Sequence, residues 1–417
     1  MSFEALFVPG ELRAVVSDEA WVEAMLEAER ALANAEALAG VVPAHHAGSI
    51  ATACRLECVD VAAVVEAGRS SGNPAEPLVR ALREAVGGDA ADWVHYGATS
   101  QDIVDSAAML VARRALGFVA RELDGVVTTC AGLAQEHRET PMAARTLLQQ
   151  AVPTTFGLKA AGWLVAAAGA RDLIRELPLA AQLGGAAGTL AALGERGLEV
   201  AGLYARELEL AEPSLPWHTD RSRIAEIGFA CSLAAGVCAK IGLDVALLEQ
   251  TEVGEVHEPA GAGGSSTMPQ KRNPVGSARS VACARRAAAA SGVLTAALVQ
   301  EHERAVGAWQ SEWGALSDAL AYAGGAAAAV REGLEGLEVD VERMGSNLDL
   351  TEGGVMSERL VFLLAPEVGR REAVRIVSEA AASGSLAEVA GAEALDPEGY
   401  LGSAAAFVDR ALAETRG

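Results

Sequence analysis

Five stretches of this chain, 104–138, 154–176, 221–252, 277–303 and 309–338, are long, apolar-periodic and free of internal proline. Proline inside a helix removes a hydrogen bond and clashes with the preceding turn, so its absence over such lengths predicts five long helices. Helices beyond about 25 residues belong to bundles or coiled coils rather than to ordinary globular domains. The available core material agrees. Hydrophobic residues make up 51% of the 417 and aromatics only 4%, so the packing must come from Ala, Leu and Val. Alanine is the best helix former, and its small side chain lets helices approach closely. The expectation is a mainly α chain in three parts: short helices over 1–104, a central bundle of five long helices over 105–338, and a small, charged helical domain over 339–417. Such helices carry more apolar surface than one chain's core uses, and faces of that size mark contacts between copies.

Local signals punctuate the first part. Ser17-Asp18-Glu19 is placed to cap a helix running from Ala20 to Ala39, with Gly40 closing it. Ser71-Gly72-Asn73-Pro74 reads as a turn.

The formal charge of −23 excludes nucleic acid as a partner, because phosphate recognition needs clustered Lys and Arg. It does not exclude a small anion, since a local basic cluster sets the field inside a cleft. The start, Met1-Ser2-Phe3-Glu4, has no basic region followed by an apolar run, and the Ala-rich runs are cut by Arg, Glu and Gly. The expected setting is therefore the cytoplasm, with no membrane span. The six cysteines form no CxxC pair and are expected to be reduced, buried thiols. No spacing of His, Cys, Asp and Glu resembles a metal site, and no cofactor is implied. His45, His46 and His137 stand in polar surroundings and read as surface residues.

The stretch that carries chemistry is Gly264-Ser265-Ser266-Thr267-Met268-Pro269-Gln270-Lys271-Arg272-Asn273-Pro274. Three glycines among 261–264 let backbone amides turn toward a ligand and form an anion nest. Lys271 adds charge and Asn273 adds directed hydrogen bonds. This segment resembles the GSSxMPxKxNP signature of the fumarase/aspartase superfamily at every defined position. Two further regions resemble the same superfamily: His95-Tyr96-Gly97-Ala98-Thr99-Ser100-Gln101-Asp102, and Arg145-Thr146-Leu147-Leu148-Gln149-Gln150 running on to Gly157. Finer strings, Pro216–Arg221, Gly254–Pro259, Gln300–Arg304 with Trp309 and Trp313, and Asn347–Thr351, are similar to the bacterial carboxymuconate cycloisomerase family.

The resemblance implies a lyase-type fold and a homotetramer whose sites draw residues from several subunits. It implies a small polycarboxylate substrate and no cofactor. Ser265 becomes the base acting on a proton α to a carboxylate, with Ser266 as the second choice. His95, Thr99, Ser100, Arg145, Thr146, Gln150, Lys271, Asn273 and Arg304 become substrate-binding residues. Arg145 and Arg304 are chosen because a guanidinium fork fits a carboxylate. His218 and His302, inside family-like strings, are candidates to touch the site.

One departure from the superfamily pattern is chemically informative. Many members carry a His in the second of those regions and a Glu just past the signature loop, which together manage the leaving group. This chain has Leu147 and Ala278 there. Water, with a pKa of about 15.7, needs proton help to leave or attack. A carboxylate, with a pKa of about 4, does not. Loss of both partners fits intramolecular addition of a carboxylate across a double bond, the lactonisation of 3-carboxy-cis,cis-muconate. The same loss fits expulsion of another stable anion, as in nitrosuccinate lyase. Adenylosuccinate lyase, which expels an amine, fits less well. A non-catalytic scaffold protein is disfavoured by the intact signature.

Overall fold

The computed structural model describes residues 3–259, 268 and 271–415. The chain is mainly helical. It opens with α1 (Gly10–Val15), α2 (Asp18–Leu38), α3 (Ala44–Ala53), α4 (Val61–Ser71) and α5 (Ala75–Val86). Ser17 is the N-cap of α2, its hydroxyl accepting from the Ala20 N–H at 3.3 Å, and Gly40 follows the helix at φ 73°. At 21 residues α2 matches the helix expected from Ala20 to Ala39 to within two residues at either end, and its apolar stripe is buried from Val22 to Ala35. The Ser71–Pro74 turn joins α4 to α5, with Gly72 in the left-handed region.

The five predicted long helices are all present: α6 (Ser100–Glu136), α7 (Phe156–Arg175), then, after the short α8 (Gly197–Glu207), α9 (Ser222–Leu248), α10 (Val275–Ala296) and α11 (Ala308–Leu334). Most observed ends lie within four residues of the expected ones. The exception is the end of α10, which stops seven residues early. Between α6 and α7 the chain makes an antiparallel hairpin of β1 (Pro141–Thr146) and β2 (Gln149–Thr155), closed by the Thr146–Gln149 pair. A two-strand ladder pairs β3 (Val256–His257) with β4 (Glu338–Val339). The remainder holds α12 (Val341–Asp349), α13 (Ser357–Val368), α14 (Arg370–Ser383), α15 (Leu386–Ala390) and α16 (Ala404–Glu414).

The chain forms two compact units. One comprises 1–122, 171–236 and 282–328; the other comprises 123–170, 237–281 and 329–417. Each long helix contributes a segment to both. In the first unit Gly324 of α11 permits close approach, since a Cβ there would lie 2.2 Å from Leu12 Cδ2. The same unit is tied by a buried ionic cluster. Arg221 is 1% exposed and binds Asp105 of α6 through both terminal nitrogens (2.8 and 2.9 Å) and Glu312 of α11 at 2.7 Å. Trp309 and Gln101 donate further bonds to Asp105, and Gln300 donates one to Glu312.

Three expectations are corrected here. Among the described residues α9 is long and apolar enough to cross a membrane by length and composition, where the sequence reading found no such stretch. Within the fold its apolar positions, Ile224, Ile227, Cys231, Cys238 and Ile241 among them, are buried as bundle core. His137 is buried, not on the surface: its ring lies edge-on to Phe156 at 5.3 Å and Nδ1 contacts Thr140 Oγ1. Burial lowers its pKa. All six cysteines are free, but Cys58 is exposed and Cys54 half-buried.

Candidate active site

The N-terminus of α6 organises the first group of candidate residues. Thr99 is the residue before the helix, and its N–H donates to Asp102 Oδ2 at 3.0 Å, half of a capping box. Asp102 is fully buried and also accepts from the N–H groups of Gly184 and Gly185, both at 2.9 Å, and from His218 Nε2 at 2.7 Å. Asp102 and His218 thus fix the helix start and the 184–185 loop. His218 is a buried clamp, whose carbonyl accepts from Gln101. With the cap satisfied internally, the Thr99 and Ser100 side chains remain part-exposed at the positive end of a 37-residue helix, a setting that favours anions.

Arg304 joins this group. Its Nη1 donates to Thr99 Oγ1 at 2.8 Å and its Nη2 to the Ala186 carbonyl at 3.2 Å. His95 stands four residues before Thr99, with backbone φ 63° and Nδ1 2.6 Å from Glu29 Oε1. Burial works against charge on the ring, but the charge and hydrogen bond of Glu29 prevail and the His95 pKa is raised. Within the first unit the structure thus joins Arg304 to Thr99, with Ser100 next to Thr99 in sequence and His95 four residues before it. His302 is exposed, with φ 48°.

The second group lies in the other unit. Arg145 of β1 closes its fork on Glu255, Nη1 to Oε2 at 2.9 Å and Nη2 to Oε1 at 2.7 Å, and Asn347 donates to the same carboxylate. Its guanidinium therefore already holds a carboxylate of the protein. Gln150 donates to the Asn347 carbonyl at 2.8 Å. Thr146 is exposed beside the hairpin tip, and Lys271 is exposed, its N–H bonded to the Met268 carbonyl at 3.0 Å. Asn273 is half-buried just ahead of α10. The N-terminus of α10 is filled by Glu258, whose oxygens accept from Gly276 N (2.9 Å), Ser277 N (2.8 Å) and Ser277 Oγ (2.6 Å). Ser265 and Ser266 lie outside the described residues.

Leu147 and Leu148 form the two-residue tip of the hairpin, at φ 51° and 65°, and are 97% and 75% exposed. Such a tip suits Asn-Gly, and leucine there is strained. Ala278 is also exposed.

Sequence reasoning missed Glu29, Glu255 and Glu258. Glu255 and Glu258 sat within a string already singled out. Glu29 had no local signal, being one glutamate on an amphipathic helix.

Comparison with known proteins shows the family. A family model described as Lyase matches residues 10–289. The chain is 47% identical to a 3-carboxy-cis,cis-muconate cycloisomerase from Pseudomonas aeruginosa, covering 99% of this chain and 96% of that one. It is 45% identical to a nitrosuccinate lyase from Streptomyces davaonensis, covering 96% and 92%. The crystal structure of a 3-carboxy-cis,cis-muconate lactonizing enzyme from Pseudomonas putida superposes with a TM-score of 0.93 at 39% identity, covering 100% and 99%. The fold, the intact signature loop and these near full-length matches together place the chain in the lyase family of the fumarase/aspartase superfamily.

Proposed function

We propose that this chain is a cycloisomerase that converts 3-carboxy-cis,cis-muconate to 4-carboxymuconolactone, a step in protocatechuate breakdown. The observation that carries the reading is the 47% identity over nearly the whole length to an enzyme of that name. The site's chemistry supports it. A tricarboxylate needs several separated cationic or hydroxyl-bearing groups, and His95, Thr99, Ser100 and Arg304 supply one such face. In the shared-site reading, Thr146, Gln150, Lys271 and Asn273 of other subunits would serve the other carboxylates, with Arg145, joined to Glu255, as a further carboxylate-binding candidate. One substrate carboxylate adds across a double bond, and Ser265 delivers a proton to the neighbouring carbon. Lys271 and the loop amides would stabilise the negative charge that builds on the adjacent carboxylate in between. The attacking group is an anion, so no side chain is needed to activate it, and Leu147 and Ala278 are no handicap.

Nitrosuccinate lyase is the second reading, favoured by the 45% identity to that enzyme and by the same absent His–Glu pair. Purified protein offered each compound separately decides between them. The expected result is loss of the muconate's diene absorbance without nitrite release from nitrosuccinate. Nitrite release with an unchanged diene would reverse the assignment.

We read the active species as a cytoplasmic homotetramer. Phe229, Leu233 and Leu243 of α9 and Val293 of α10 are exposed apolar residues on long helices. The free cysteines suit a reducing compartment. Light scattering at micromolar concentration is expected to give four chain masses, and an active monomer would overturn the shared-site reading.

A further inference from the structure

We propose that Glu29 of α2 is a positioning residue that holds His95 oriented and charged as a carboxylate-binding group. The proposal rests on the reading above, in which His95 faces substrate. Glu29 is 1% exposed, and its Oε1 lies 2.6 Å from His95 Nδ1. That contact uses the one ring nitrogen and leaves Nε2, which has no hydrogen bond among the described residues, to meet a ligand. The ring is held from its backbone as well. His95 occupies the left-handed region at φ 63°, unusual for a residue with a side chain, and the preceding Val94 is buried with its carbonyl accepting from Arg83 at 3.2 Å. A buried carboxylate joined to an imidazole in this way fixes the orientation of the ring and favours its charged form.

The charged groups around the ring come from three helices. Glu29 of α2 and Asp102 of α6 favour the imidazolium, while Arg83 of α5 opposes it. Asp102 is already committed to Gly184, Gly185 and His218. A second buried acid, Glu36, lies two helical turns along α2 from Glu29. Burial, with the charge of Glu29, pushes its pKa up to about 9.

A raised imidazole pKa means that the cation is present below it and is lost as pH rises through it. In Glu29→Gln the amide still accepts from Nδ1, but burial then dominates and the ring should titrate below the ordinary histidine value of about 6.5. The expected result at pH 7.5 is a KM higher by about tenfold, equivalent to about 1.4 kcal/mol of binding, with kcat changed less. The alkaline limb of kcat/KM should move to lower pH, and KM should recover near pH 5.5. A merely structural role would not shift that limb. The imidazole pKa itself is read by NMR titration of the histidines, with His95→Asn to assign the signal. An imidazole pKa equal in Glu29→Gln and the unmodified protein overturns the coupling. A lowered imidazole pKa with an unchanged KM profile overturns the binding role of His95 while leaving the ion pair in place. Absence of turnover with carboxymuconate would fault the functional reading, and the NMR result would still stand. If Glu29→Gln does not fold, titration of His95 in the unmodified protein at or below about 6.5 is enough to reject the proposal.

Discussion

Ser265→Ala is expected to lower kcat by about three orders of magnitude, within the roughly 10²–10⁴ that a positioned proton donor or acceptor contributes. The argument is one of economy. When a carboxylate is the attacking group, a single proton transfer to carbon remains, and Ser265 is the group assigned to it. His218, buried with its Nε2 against Asp102, is not available to replace Ser265. Binding should survive, because in the proposed site other side chains would hold the carboxylates. Equilibrium dialysis with substrate should therefore give an affinity within a few-fold of the unmodified enzyme. Ser266→Ala is the control. If it is the inactive variant and Ser265→Ala turns over, the proton belongs to Ser266.

Arg221→Leu should destabilise the protein by about 3–5 kcal/mol, the cost of stranding buried charge when one partner of an ion pair is removed. Arg221 is the shared cation of Asp105 and Glu312, and all three are buried. Its removal leaves two carboxylates facing each other's charge in the core. Burial raises the Glu312 pKa even with the arginine opposing it, so the variant should take up a proton rather than keep both charges. The measurement is the urea midpoint against the unmodified chain. Adding Asp105→Asn and Glu312→Gln to Arg221→Leu should recover part of the loss, since the triple variant buries no charge. A midpoint for Arg221→Leu within error of the unmodified protein would mean that the cluster is solvated in solution. The cluster also positions the site indirectly: Asp105 is one turn beyond Asp102 on α6, so its anchoring steadies the same helix start that presents Thr99 and Ser100.

Much of this protein was legible in one dimension. Helical periodicity is a local property, repeated every few residues, and so the five long helices appeared in the sequence close to their observed positions. The cap at Ser17 and the turn at Ser71–Pro74 follow from side-chain and backbone preferences that act within three or four residues. The family was legible because a contiguous signature loop survives intact. The β1–β2 hairpin was not foreseen, because its turn holds Leu147 and Leu148, where the usual Asn-Gly signal would have announced it. The same limit applied to the site. Thr99 and Ser100 could be named from a motif, but the acids that decide how neighbouring cations behave come from distant parts of the chain. Glu29 meets His95 across 66 residues, and Glu255 meets Arg145 across 110. His137 looked like a surface residue by its neighbours in sequence, and packing against Phe156 put it inside. Sequence determined which residues form helices and which family the loop belongs to, since both depend on short-range patterns. Only the tertiary structure decided which charges are paired, because an ion pair depends on distance in space, and chain separation carries no record of it.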